Sequence, residues 1–175
     1  MTRDPYERYQ KEAPAPAAAT MRETIRYVFD EIQRRAWHST EGLVDADLNH
    51  DPGHGAMTIG AILHHQLRLV RFYIYNLDPL ALEDIPIPPE VGSEGDWHAA
   101  GFVAYREEVA ERFRQVFAAA TDGALMAKRP DLRGPEGWEE WPVAMRILRP
   151  LTDLATHVGQ VNYARRRLGK PVGRG

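Results

Sequence analysis

The sequence contains no cysteine among its 175 residues. Disulfide bonds, cysteine nucleophiles and thiolate metal ligands are therefore excluded. The sequence also lacks any run approaching the roughly 20 apolar residues that a helix needs to cross a bilayer. Its first 19 residues lack the apolar segment of a signal peptide. These absences predict a cytoplasmic protein with no membrane partner.

Positive charge is not in excess either. The formal net charge is −3, and the 43% hydrophobic and 27% charged residues are ordinary for a soluble globular protein. The one dense basic run, Arg165-Arg166-Arg167, ends a predicted helix, where cations interact favourably with the helix dipole. Phosphate binding is the other interpretation of this run. Without a general basic field, we predict no nucleic-acid partner.

Strand-like alternation is missing, whereas apolar residues recur at helical spacing. This spacing predicts four helices, at about 20–38, 58–77, 97–120 and 143–168. The segments between the helices are predicted to be loops, and they are longer than a simple up-down bundle requires: 39–57, 78–95 and 121–141. The predicted fold is therefore all-α, a four-helix bundle with long crossover loops.

The chain is expected to divide into an arm and one domain. Residues 1–19 are charged and then rich in alanine and proline, which predicts a flexible N-terminal arm. Thr20 followed by Glu23 is a capping-box pattern and predicts the start of a helical-bundle domain over 20–170. Within the last helix, Pro150 predicts either a kink or a restart.

Three residues on two predicted helices form a candidate metal site. Asp153 and His157 are four residues apart, so a helix places them on one face. His65 lies at the edge of the apolar face of the second helix, whereas the neighbouring His64 falls on its polar arc. Two imidazoles and one carboxylate leave coordination positions open for water or substrate, which is typical of catalytic rather than structural metal sites.

Each of these residues also has an interpretation without a metal. His65 is consistent with an ordinary core histidine. Asp153 is consistent with a first-turn acid if the last helix restarts at Pro150. His157 is consistent with a surface contact to Asp153 that contributes little. On spacing alone these interpretations stay open.

Several neighbouring side chains are candidates for supporting roles. Gln160 follows His157 by one turn and is predicted either to orient a ligand or to make an interhelical hydrogen bond. Arg146 and Arg149 have the chemistry to hold an anionic group, or else pair with the glutamates at 139–140. The remaining candidates are a tryptophan pair, predicted to wall a pocket or cover the bundle end, and two histidines expected in a solvated loop: Trp138, Trp141, His50 and His54.

Two short motifs resemble those of the DinB/YfiT-like family. The first is Thr58-Ile59-Gly60-Ala61-Ile62-Leu63-His64-His65, in which a Ser or Thr opens a helix and a histidine follows seven residues later. The second is Asp153-x-x-x-His157-Val158-Gly159-Gln160 with the trailing Arg165 and Gly169, which is similar to His-x-x-x-His-x-Gly-Gln followed by Arg and Gly. The resemblance covers residues 21–169.

The resemblance implies a dimeric four-helix bundle with a divalent metal bound by three histidines. The corresponding residues in this sequence are His65, Asp153 and His157. The sequence departs from the pattern at Asp153, where histidine is commoner. Thiol-dependent maleylpyruvate isomerases are similar to it in carrying a carboxylate there. The expected cofactor is one divalent ion, namely Zn, Ni, Mn or Fe.

The leading hypothesis is a metal-dependent enzyme, a hydrolase or a transferase of a low-molecular-weight thiol, that acts on a small molecule as a homodimer. A metal ion lowers the pKa of bound water or thiol and so makes a nucleophile near neutral pH. The alternative is a non-catalytic, stress-related dimeric bundle whose metal site is vestigial or structural. A DNA-binding role would rest only on the association of the resembled family with DNA damage. The negative net charge of the chain argues against such a role.

Overall fold

The computed structural model describes residues 20–92, 96–132 and 134–172 of the protein. These ranges are helical and contain no β-strand, only an isolated bridge between Lys128 and Pro142. The all-α prediction is therefore confirmed. In chain order the α-helices are α1 Met21–Thr40, α2 Asp45–Leu48, α3 Ile59–Leu77, α4 Pro89–Gly92, α5 Ala99–Ala119, α6 Asp122–Met126 and α7 Val143–Arg167.

The four long helices begin and end within about two residues of the predicted bounds. The segments predicted as loops are less irregular than expected, because they contain α2, α4, α6 and a 3₁₀ turn at Trp138–Glu140. Helices of four or five residues are too short to show a 3.6-residue period, so the sequence pattern missed them. The predicted arm, residues 1–19, lies outside the described residues.

The starts of α1 and α3 are fixed by threonine side chains. The Thr20 hydroxyl accepts a hydrogen bond from the Glu23 amide at 3.2 Å, and the Glu23 carboxylate accepts one from the Thr20 amide at 2.9 Å. The predicted capping box is therefore confirmed. Thr58 accepts from the Ala61 amide at 3.1 Å, so α3 begins at Ile59 and His65 falls in its second turn.

The hydrophobic core draws side chains from all four long helices. Phe113 of α5 stacks on Phe29 of α1, with ring centroids 3.9 Å apart, and on Phe117 at 5.2 Å. Helix α7 packs against both α1 and α3, and α3 packs on its other side against α5. Helices α3 and α7 therefore face each other, as the predicted metal site requires.

The polar arc of α3 is covered by the segment that follows it. The His64 ring nitrogen Nδ1 lies 2.7 Å from the Val91 carbonyl oxygen, and the Arg71 guanidinium donates to the Ile85 carbonyl and the Tyr105 hydroxyl. His64 lies on the polar arc, as predicted, but it is only partly exposed because residues 85–91 fold over this side. His65, on the neighbouring face, is turned toward α7 instead.

Helix α7 is continuous through Pro150 from Val143 to Arg167. The proposed restart at this proline was therefore wrong. Asp153 lies well inside the helix, so it is not a first-turn acid. Its position relative to His157 is the i,i+4 spacing of a regular helix.

Arg165 fastens the end of α7 to the end of α1. Its side chain is only 7% exposed and donates to the Ser39 and Glu41 carbonyl oxygens at 2.9 and 2.7 Å. It also donates to the Lys170 carbonyl oxygen at 2.9 Å. A charged donor that satisfies carbonyls beyond the last turn of a helix stabilises that helix end.

We expect Arg165→Met to lower the free energy of unfolding by about 2–3 kcal/mol, because it leaves buried carbonyl oxygens without donors. Equilibrium unfolding in urea, followed by circular dichroism, measures this change. Arg166→Met is the matched control, since Arg166 is exposed, and it should shift stability by less than about 0.5 kcal/mol. Equal effects of the two variants would contradict a fastening role for Arg165.

Candidate metal centre

Helices α3 and α7 bring two of the three predicted ligands into contact. The imidazole rings of His65 and His157 have centroids 4.7 Å apart and an interplanar angle of 83°. Each Zn–N bond spans roughly 2.0–2.1 Å, so rings at this separation are close enough to share one ion. Both side chains are half-buried, which keeps the pair accessible from outside the bundle.

The orientation of the His157 ring is set by Gln160. The His157 ring nitrogen Nδ1 lies 2.7 Å from the Gln160 side-chain oxygen Oε1. An amide oxygen only accepts hydrogen bonds, so Nδ1 carries a proton, and in the neutral ring Nε2 keeps a free lone pair. Partners that fix the tautomer in this way are typical of metal-binding histidines.

Asp153 lies one turn before His157, but its carboxylate is engaged elsewhere. The Asp153 oxygen Oδ1 accepts a hydrogen bond from the Arg149 guanidinium at 2.8 Å, another i,i+4 pair on α7. The side chains of Arg149 and Asp153 are 52% and 46% exposed. Ion pairs this exposed contribute little to stability, so a stronger partner readily displaces the arginine.

Across the described ranges, no group of three or more His, Asp or Glu side chains is placed to hold a metal ion. The structure thus brings His65 and His157 together and leaves Asp153 beside them on Arg149. The three-ligand site stays a prediction.

Burial lowers the pKa of His65. The charges of His157 and Arg68 lower this pKa further, whereas the carboxylate of Asp153 opposes them. Asp153 therefore acts electrostatically on His65. The lowered pKa favours the neutral imidazole, which is the form that binds a metal.

The arginines before this site do not match the surface pairs anticipated for them. Arg146 is fully buried, and its Nη1 lies 3.5 Å from the Leu132 carbonyl oxygen. Pairing of Arg146 with the glutamates at 139–140 was therefore wrong. Arg149 pairs with Asp153 instead, and Glu140 accepts from Lys128 at 2.7 Å. Arg146 lies three turns of α7 before His157, so its support of the site stays a prediction.

Trp138 and Trp141 stack on each other, with ring centroids 4.9 Å apart. Trp138 also contacts Phe72 of α3 at 5.8 Å. These contacts favour the interpretation of the pair as a hydrophobic cover at the bundle end.

A cavity of about 880 Å³, which the sequence did not predict, opens beside the histidine pair. Its walls are the segment between α2 and α3, the start of α3 and the last three turns of α7. Gln160, the partner of His157, belongs to its lining. His50 and His54, expected in a solvated loop, are indeed exposed, but they also line this cavity.

The backbone of the cavity loop is unusual. Gly53, His54 and Gly55 follow one another in the left-handed region, with φ of 76°, 55° and 72°. Few residues other than glycine adopt this conformation. The Asp51 carboxylate accepts a hydrogen bond from the Gly53 amide at 2.8 Å and so supports the turn. The sequence signal for this loop was the Asp-Pro-Gly-His-Gly run over 51–55.

The comparisons with known proteins agree with the helical architecture. The family model described as the DinB superfamily matches residues 28–161. The chain belongs to the DinB superfamily. The matched region contains α3 and most of α7, and therefore His65, Asp153, His157 and Gln160. No curated protein and no solved structure gave a match. In the described ranges of this DinB-superfamily chain, the helices are not long and apolar enough to cross a membrane.

In the metal-free protein, we expect the pKa of His65 to lie below the usual 6.5 because the ring is partly buried. Asp153→Asn should lower this pKa further, since it removes the opposing negative charge. His157→Gln should raise it, since it removes a neighbouring cation. NMR titration of the imidazole signals after treatment with a chelator measures all three changes.

Asp131→Asn is the control, because it removes an exposed carboxylate that does not act on His65. The sign for stability follows from linkage. Since the pKa of His65 is lower in the folded chain, its protonation favours unfolding as the pH falls below 6.5. An unchanged His65 titration in Asp153→Asn would mean that the two groups do not interact.

Proposed function

We propose that this DinB-superfamily protein is a metal-dependent enzyme that acts on a small molecule, either a hydrolase or a transferase of a low-molecular-weight thiol. The observation that carries the proposal is the pair of half-buried imidazoles from facing helices, His65 and His157, with the second ring held by Gln160. Two histidines on facing helices, one of them with its tautomer fixed by a polar partner, are typical of metal sites in helical bundles.

The donor set suits a divalent ion such as Zn, Ni, Mn or Fe. His65 and His157 would supply nitrogens, and Asp153 would supply an oxygen after release from Arg149. Mixed nitrogen and oxygen sites of this composition accept any of these ions. When bound, the ion supplies Lewis acidity that lowers the pKa of a coordinated water or thiol.

The chain itself prepares the site in three ways. Burial keeps His65 neutral and ready to bind. Gln160 fixes the proton of His157 on Nδ1 and so directs Nε2 toward the site. The cavity of about 880 Å³ is lined by Gln160, the partner of His157, and would give a small molecule access to the pair.

A non-catalytic dimeric bundle with a vestigial site is the second candidate. One observation favours it: the Asp153 carboxylate pairs with Arg149 and completes no three-ligand cluster among the described residues. Under this proposal the surviving histidine contact would be structural, and dimerisation would be the main property. Metal affinity separates the two candidates.

We expect the tag-free protein to bind one Zn, Ni, Mn or Fe(II) ion per chain, and His65→Ala to abolish this binding while the fold is kept. Asp153→Asn should weaken binding by roughly tenfold or more. Arg149→Met is the matched control. It breaks the same ion pair but keeps the carboxylate, so it should leave affinity unchanged or raise it. Calorimetric titration with each ion measures these affinities, and circular dichroism verifies the fold.

These affinities distinguish a metal-ligand role of Asp153 from a role only as the ion-pair partner of Arg149. If Asp153→Asn and Arg149→Met weaken binding equally, the carboxylate serves only its ion pair. If His65→Ala retains full metal content, the proposed site is wrong. Lack of binding by the wild-type protein would leave the second candidate.

A further inference from the structure

The cavity borders the proposed metal site through Gln160, although neither imidazole lines it. Gln160 lines the cavity, and its side-chain oxygen accepts a hydrogen bond from His157 Nδ1 at 2.7 Å. Ile62, one turn before His65 on α3, lines the same space. A molecule in the cavity therefore lies next to both helices that carry the imidazoles.

One face of α7 forms the long wall of this cavity. Thr156, Gly159, Gln160, Tyr163 and Arg167 all line it, at the three- and four-residue spacing of a single helix face. Arg167 stands at the C-terminal end of this wall, where α7 ends. The backbone positions of His157 and Arg167 are ten residues apart, which is roughly 15 Å along the helix.

Gly159 has no side chain to occupy the cavity that it lines. A Cβ atom added there would meet nothing within 4 Å, so packing does not require glycine at this position. Gly60 is the contrast, because a Cβ atom there would overlap the Trp97 ring. Glycine inside a helix lowers its stability relative to alanine. The open space at Gly159 belongs to the cavity, so the missing side chain widens it.

The charged side chains around the cavity differ in whether they have a partner. Asp47 is neutralised by Lys170 at 2.7 Å, and the buried Arg165 is committed to the end of α1. Within the described ranges, the side chain of Arg167 forms no hydrogen bond or ion pair. The far end of the cavity thus carries a guanidinium group that no carboxylate of the described residues pairs with.

The surface of the cavity is more apolar than polar. Ile59 and Ile62 form part of its floor, and Met57, which is 49% exposed, borders it. An apolar body with polar contacts at its ends is typical of small-molecule sites.

We propose that this cavity is the substrate groove of the metal site and binds an elongated small molecule with an anionic group. Arg167 binds the anionic end, while the reactive end reaches His65 and His157. This inference rests on the proposed metal-dependent function. It adds a length of roughly 15 Å and a negative charge to the description of the substrate.

The test uses ω-mercaptoalkanoates of graded chain length and their carboxamides, titrated into the zinc-loaded protein by calorimetry. Affinity should peak at an intermediate length, and the carboxylate should bind roughly tenfold more tightly than its carboxamide. Arg167→Ala should abolish this preference for the carboxylate. Arg166→Ala, the neighbouring exposed arginine that does not line the cavity, should keep it.

Gly159 gives a second, steric test. Gly159→Leu should weaken binding of the longer probes while zinc affinity is unchanged, because its side chain enters the groove and not the protein. Gly159→Ala is the matched control for the helix and should have a much smaller effect on binding. Circular dichroism verifies that both variants fold.

A separate measurement distinguishes failure of this inference from failure of the metal site. Octanoate, which has no thiol, is titrated into the metal-free protein, and NMR follows the amides of 50–59. If the wild-type protein binds no metal but octanoate still binds in an Arg167-dependent manner, the groove is supported and the metal site is wrong. If metal and thiols bind regardless of chain length, Arg167→Ala and Gly159→Leu, the groove inference is overturned.

A second copy of the chain is the competing occupant. Light scattering of the wild type and of Gly159→Leu decides this point. A fall from dimer to monomer in the variant, without any change in probe binding, would identify the face as a subunit interface and overturn the inference. An unchanged mass with weakened probe binding supports the groove.

Discussion

The site depends on the longitudinal register of α7 against α1 and α3. A slip of one residue turns the side chains of a helix by about 100°, which would carry His157 away from His65. Arg165 opposes such a slip, because its buried guanidinium binds the Ser39 and Glu41 carbonyl oxygens at the end of α1. Arg165 lies two turns beyond His157 on the same helix, so it also fixes the height of that ring. Arg165, the trailing arginine of the second motif, therefore holds α7 in position and does not bind a ligand.

Much of the bundle was predictable from the sequence because local physics determines it. Helical periodicity predicted the four long helices, and the Thr20–Glu23 pattern predicted the start of α1. The same periodicity correctly placed His65, not His64, toward α7. The covering of His64 was not predictable, since Val91 comes from a segment without periodicity and its approach is a tertiary event.

The state of Asp153 shows the limit of spacing arguments. Arg149 and His157 both lie four residues from Asp153 on one helix, in opposite directions, so the sequence does not decide between them. In the structure the carboxylate binds Arg149. An exposed ion pair contributes only about 0.2–1 kcal/mol. A divalent cation next to two neutral imidazoles attracts a carboxylate more strongly, so metal binding would be expected to release Asp153 from Arg149.

The two parts of the proposed site are built by different means. The imidazoles sit on long helices with a shared core, which suits chemistry that depends on fixed positions. The facing wall of the groove is a short loop that turns through left-handed residues at Gly53, His54 and Gly55. Loops of this kind change without disturbing the core. In the proposed site, substitutions in this loop would therefore change the shape of the groove while leaving the two imidazoles in place.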